Sequence, residues 1–227
     1  MADHDDMHLH EQLMLLALRD EKGTLESSAS MYACALGGAI LTELSLEGRI
    51  RISRDKKALV GLVDRSPLGE PVLDECLDRV ARARRGARAV TWVQRFAGTK
   101  RLYHRVAEGL CRRGILREEE GRVLLFFTRK VYPTVDPGPE RRLVERLRSA
   151  VFSDSTTDAE TAIVVALANA TGLLAIHFDR KELRRRKDRL ERITERTPGG
   201  AAARQAVEGA EAAILAAAGA TVVTTGG

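Results

Sequence analysis

Nine basic side chains and no carboxylate fall between residues 79 and 107: Arg79, Arg82, Arg84, Arg85, Arg88, Arg95, Lys100, Arg101 and Arg105. Guanidinium groups grip phosphate oxygens in a planar fork. Each basic residue near an anionic bilayer contributes about 1 kcal/mol. Four or five on one face would hold the chain reversibly on acidic lipid. A solvated helical face is the competing reading. A second basic run, Arg180 to Arg192, carries eight basic residues against three acids. There Glu182 stands four residues from Arg186 and Asp188 four from Arg192, which reads as a solvated helix with internal ion pairs.

Other chemistry is not encoded in recognisable form. The chain holds no GxSxG, HExxH, Walker or GxGxxG pattern. No catalytic residue, cofactor or metal site is therefore expected. His8 and His10 flank Leu9 outside a metal-ligand spacing and read as a polar helix start. His104 and His177 have no carboxylate or Cys partner nearby in sequence. Cys34, Cys76 and Cys111 are too widely spaced for a zinc site or a disulfide framework. They read as small hydrophobes of a chain in a reducing cytoplasm.

These groups must be carried by a body of 227 residues with 44% apolar and only 4% aromatic content. Such a core is built from Leu, Val, Ile and Ala, which favours packed helices over a β-sandwich. The net charge of +5 biases the chain towards anionic partners. Of the 37 basic residues 30 are Arg, which with the abundant Ala and Gly suggests a GC-rich bacterial genome.

Periodicity predicts helices over 8–19, 27–47, 72–80, 90–96, 99–113 and from about 143 to 151. Further helices are predicted over 162–170, 179–195 and 201–218. Thr157 and Glu160 have capping-box spacing. Thr161 to Phe178 lacks Asp, Glu, Lys and Arg, yet its Asn169, Gly172 and His177 mark a buried core helix, not a membrane span. Arg49–Ile52 and Ala58–Val63 read as one β-hairpin. A second is read from Ile115–Leu116, a polar turn Glu118–Gly121, and Val123–Phe127. Pro133, Pro137 and Pro139 read as a rigid linker. The expected architecture is mainly α: a single compact helical domain with two small β-hairpins. Its body spans 8–196 and its C-terminal Ala-rich helix 200–218, with disordered ends at 1–7 and 219–227. The acidic start is not that of a signal peptide.

The segment Val123–Leu124–Leu125–Phe126–Phe127, flanked by Arg122, Arg129 and Lys130, fits two readings. Exposed, it would dip into a bilayer or join subunits of a homo-oligomer; covered, it is core.

Five stretches in order resemble the Golgi phosphoprotein 3 family of phosphatidylinositol-4-phosphate-binding proteins. They are His8–Leu18 followed by Gly23, Ile40–Ile50, Leu73–Glu75, Arg113–Leu116 with Leu124–Phe126, and Ala166–Ala170. The resemblance implies a mostly helical fold and a peripheral, non-enzymatic protein on an anionic phospholipid surface. It also implies an apolar hairpin, here Ile115 to Tyr132, that aids membrane insertion and self-association through Leu124, Leu125, Phe126 and Phe127. The family's headgroup-binding Trp falls on Ser28, its first Arg on Gly37, and its later basic pair on Lys100 and Tyr103. Lys100 alone keeps a charge, so Arg101 and Arg105 are expected to stand in, with Trp92 as the interfacial aromatic. A winged-helix-like nucleic-acid binder, built on helix 99–113 and the following hairpin, is the alternative. A purely structural oligomerisation module is a third reading.

Overall fold

The computed structural model describes residues 7–19, 21–26, 31–53, 55, 57–123, 127–153, 155–195, 208–212 and 214–216. The fold is mainly helical, with short antiparallel strand pairs set among the helices.

Helix α1 (Leu9–Ala17) is buried at all nine positions and forms the central rod. Around it pack α2 (Tyr32–Leu46), α5 (Leu102–Arg112), α6 (Gly138–Phe152) and α7 (Ala159–Ala170). Sequence decides these roles. Both α1 and α7 are apolar around most of their circumference and are enclosed. Helix α3 (Pro71–Ala81) instead buries one stripe, Val72, Leu73, Cys76, Leu77 and Val80. It starts where Glu70 accepts from the Leu73 amide at 2.6 Å and Pro71 opens the first turn.

Helix α4 (Ala89–Ala97) lies close against α2 because position 37 is Gly. A Cβ there would sit 2.4 Å from the Val93 carbonyl oxygen, so any side chain would push the helices apart. Gly23 has φ +55, and its missing Cβ leaves room for the Tyr132–Pro133 backbone, with the Tyr132 amide donating to the Gly23 carbonyl at 2.8 Å.

Strands β1 (Leu18–Arg19) and β2 (Thr24–Leu25) pair around that glycine turn. The predicted first hairpin is present as β3 (Ile50–Ile52) and β4 (Leu59–Leu62), and β5 (Ala87–Arg88) adds a third strand in the order β3-β4-β5. The second hairpin is registered differently from its hydrophobic pattern. The Glu118–Gly121 stretch does not turn; Glu119–Val123 is strand β6, paired with β7 (Phe127–Val131) from Glu119↔Val131 to Val123↔Phe127. The span implied by the resemblance, Ile115 to Tyr132, contains this hairpin. Leu124, Leu125 and Phe126 lie outside the described residues, as does the side chain of Phe127.

Several boundaries also differ from expectation. The proline segment is part of the packed body, with Pro133 buried and Pro139 in the first turn of α6. The cap of α7 is Asp158, whose carboxylate accepts from the Thr161 amide at 2.8 Å, and not Thr157. The charged helix 179–195 is two helices, α9 (Arg180–Arg185) and α10 (Lys187–Glu195), preceded by the short α8 (Leu174–His177). Neither ion pair expected there is made by its predicted partners. Arg186 donates to the Phe152 carbonyl and Arg189 to the Ala150 carbonyl, tying these helices to α6. Residues 208–212 and 214–216 are helical, with Ala210 and Ile214 buried. The expected disordered ends lie outside the described residues, apart from Met7, which is half-buried.

Candidate functional site

The acid-poor window spans the last residues of α3, strand β5, α4 and most of α5. Folding divides its nine cations into two groups. Carboxylates outside the window reach Arg79, Arg82, Arg101 and Arg105. Glu75 pairs with Arg79 at 2.7 Å and also with Arg105; Asp78 pairs with Arg82 at 2.9 Å. Glu108 lies 3.7 Å from Arg101. Arg105 also donates to the Pro71 carbonyl at 3.0 Å, and Arg79 to Thr99 Oγ1 at 2.9 Å. These contacts staple α3 to α5 and to the α4–α5 junction.

Arg84, Arg85, Arg88, Arg95 and Lys100 form the second group. All five are exposed, and none makes an ion pair among the described residues. Arg95 stacks on the Trp92 ring at 4.8 Å. Lys100 and Arg101 stand at the turn between α4 and α5, where Arg101 holds φ +58, a left-handed conformation uncommon for a side chain of its bulk.

The other predicted site residues take other places. Tyr103 is half-buried; its hydroxyl donates to the Gly23 carbonyl at 3.1 Å, and its ring meets Tyr32, His104 and Tyr132 edge-on. Gly37 is buried in the α2–α4 contact and presents nothing to solvent. Ser28 lies outside the described residues. Trp92 is 2% exposed, so it packs the core and cannot serve as an interfacial aromatic.

The histidines have partners that their neighbours in sequence did not reveal. His104 Nδ1 lies 2.9 Å from the Tyr132 hydroxyl, and His177 Nε2 lies 2.9 Å from the Leu16 carbonyl. The polar start of α1 is not a chance feature. Glu43, on α2, spans both rings: Oε1 is 2.5 Å from His8 Nδ1 and Oε2 is 3.3 Å from His10 Nδ1, while the Leu9 amide donates to Oε2 at 3.2 Å. The two imidazoles stack, 5.4 Å apart. Glu70 Oε2 stands 3.8 Å from His10 Nε2, and Glu11 pairs with Arg113 at 3.3 Å.

The hydrogen bond to Glu43 raises the His8 pKa to about 9, against the cost of its burial. Burial pushes the Glu43 carboxyl up, but the bonds from His10 and His8 overcome that and bring it down to about 2. A cleft of about 470 Å³ opens beside this network, with Met7, Leu9, Leu68 and Ile163 in its wall. None of its lining residues belongs to the acid-poor window. No group of three or more His, Cys, Asp or Glu among the described residues is arranged to hold a metal ion. No described helix is long and apolar enough to cross a membrane.

The described residues thus form a mainly helical fold with a paired polar network at the start of α1 and, along and beside α4, a set of exposed cations that make no ion pair among the described residues. The sequence matches the family described as Golgi phosphoprotein 3 (GPP34) over residues 9–210, and the chain belongs to that family. It is 28% identical over 162 residues to vacuolar protein sorting-associated protein 74 of Eremothecium gossypii. It is 27% identical over 164 residues to the protein of the same name from Schizosaccharomyces pombe. These alignments cover 63% and 64% of this chain and 48% of each relative, so the chain spans about half the length of the curated relatives it matches.

Proposed function

We propose that this protein is a non-catalytic, peripheral membrane adaptor that binds acidic phospholipid through the cations around the α4–α5 junction, Lys100 foremost, with Arg101 beside it only loosely held by Glu108 at 3.7 Å. The observation that carries this reading is the unpaired group, Arg84, Arg85, Arg88, Arg95 and Lys100: exposed, without ion pairs among the described residues, and drawn from a stretch that contributes no carboxylate. An exposed cation without an ion pair gives up no protein carboxylate on meeting a lipid phosphate. The names of the family and of the relatives, a Golgi phosphoprotein and a vacuolar sorting protein, accord with a role at membranes and in sorting. The phosphoinositide arrangement is not retained residue by residue, since Gly37 and Tyr103 are packed inside and Lys100 alone is free. The proposed ligand is accordingly an anionic headgroup in general. The segment Leu124–Phe127 is proposed to assist by insertion or by joining subunits.

Arg105 on α5 and Arg113 at its C-terminal end are held by Glu75 and Glu11, so the helix that would read a nucleic acid has these two cations tied down. The test is co-sedimentation with vesicles. The protein is expected to pellet with vesicles containing phosphatidylserine or phosphatidylglycerol, and to stay in the supernatant with phosphatidylcholine alone. Equal pelleting on both, or none on either, would overturn the reading.

A further inference from the structure

The three-stranded sheet has two faces of opposite character. Strand alternation sends Ile52, Val60 and Ala87, which lie side by side, towards the core; Ile52 and Val60 are buried. The rows between them point the other way. Arg51 pairs with Gly61, and its side chain lies over that glycine: a Cβ at 61 would stand in ordinary contact, 3.6 Å from Arg51 Nε. Leu59 pairs with Arg88, and both are exposed. Val63, at the end of the same alternation, is 59% exposed.

Arg84, Arg85 and Lys57 are exposed at the margins. None of Arg51, Lys57, Arg84, Arg85 and Arg88 makes an ion pair among the described residues. Asp55 is the carboxylate described in the β3–β4 turn. It is occupied by Ser53 Oγ and the amides of Lys57 and Ala58, at 2.8 to 3.1 Å. Asp64, just beyond Val63, is engaged by Arg49 at 2.6 Å.

We infer that this outward sheet face, Leu59 set between Arg51 and Arg88, is a second contact with an anionic bilayer. The inference rests on the membrane reading above and extends it to a part of the molecule that the family resemblance did not point to. Arginines alone would suit any phosphate polymer. Apolar side chains beside them would be left facing water against a nucleic-acid backbone, but would be buried at the acyl boundary of a membrane. The face is also joined along the chain to the proposed headgroup site through α4. Helix α4 starts directly after Arg88, and its exposed positions Gln94 and Arg95, with half-buried Thr91, lead without an acid to Lys100. Nine residues of helix span about 13 Å, so the two contacts are a few lipid headgroups apart.

The test uses Leu59→Trp as a reporter, because the native Trp92 is buried and its emission is expected to stay constant. Addition of phosphatidylserine-containing vesicles should shift the emission of the introduced indole to the blue, and lipids brominated on their acyl chains should quench it. Val63→Trp is the second reporter should the first disturb the sheet, with circular dichroism as the check on folding. Arg51→Glu with Arg88→Glu should lower vesicle partitioning at least ten-fold. Pelleting on anionic vesicles with no change in either indole would overturn this contact while leaving the membrane reading intact. No pelleting at all would remove both. A blue shift with duplex DNA and none with vesicles would likewise overturn it.

Discussion

Two clusters of charge in this protein look alike in composition and differ in everything else. At the start of α1, His8, His10, Glu43, Glu70 and Glu11 are mostly buried and mutually paired. At the α4–α5 junction and along α4, Arg88, Arg95 and Lys100 are exposed and without ion pairs among the described residues. The first is architecture: charges removed from water persist only with partners, and removing one partner strands the others. The second contributes little to folding, because exposed charges are well solvated wherever they lie. A buried and answered charge explains the fold; an exposed and unanswered one is available to a partner.

The contrast predicts that lesions in the two clusters will have opposite signatures. The largest effect should come from Glu43→Ala, which leaves two imidazoles and the Leu9 amide without their shared acceptor. A loss of about 3 kcal/mol is expected in urea unfolding, with anionic-vesicle binding retained by the protein that remains folded. Next, Lys100→Glu combined with Arg101→Glu should remove about 2 kcal/mol or more of vesicle partitioning, on the order of 30-fold, with little change in the unfolding midpoint.

The His8–Glu43 pair gives stability a defined pH window. His8 has a raised pKa, so its contribution is complete below about 6.5 and is lost as pH rises through about 9. Glu43 has a lowered one, so its contribution is complete above about 4.5 and is lost as pH falls towards about 2. Unfolding followed between pH 6 and 10 should show the alkaline loss in the native chain and not in Glu43→Ala. The smallest effect should be Arg101→Gly. It relieves the left-handed backbone at φ +58 and should stabilise by about 1 kcal/mol, while weakening vesicle binding.

Much of the fold could be read in the sequence. The apolar stripe of α3, the enclosed character of α7 and the β3–β4 hairpin follow from local periodicity, and the structure keeps all three. The second hairpin could not be read that way, because its strand β6 is the polar Glu119–Glu120–Gly121–Arg122–Val123, whose composition imitates a turn. The two-residue strands β1, β2 and β5 carry no pattern long enough to detect. Charge pairing was the least legible feature. A window without acids says nothing about acids one helical turn earlier, and Glu75 and Asp78 lie just outside the counted stretch. Glu43 sits 35 residues from His8, so the network at α1 exists only once α1 and α2 pack. One local hint was available: His8, His10, Glu11 and Gln12 open a helix whose remaining residues are apolar, and polar side chains at the start of an enclosed helix need partners.

The most direct test compares two substitutions that change net charge equally. Lys100→Ala removes an exposed cation with no ion pair among the described residues, whereas Arg105→Ala removes one held by Glu75. Partitioning onto phosphatidylserine vesicles at fixed ionic strength should fall about five-fold for Lys100→Ala and much less for Arg105→Ala, whose cost should appear in thermal unfolding. Equal losses of binding from the two variants would mean that net charge, and not the exposed group at the α4–α5 junction, governs attraction to the membrane.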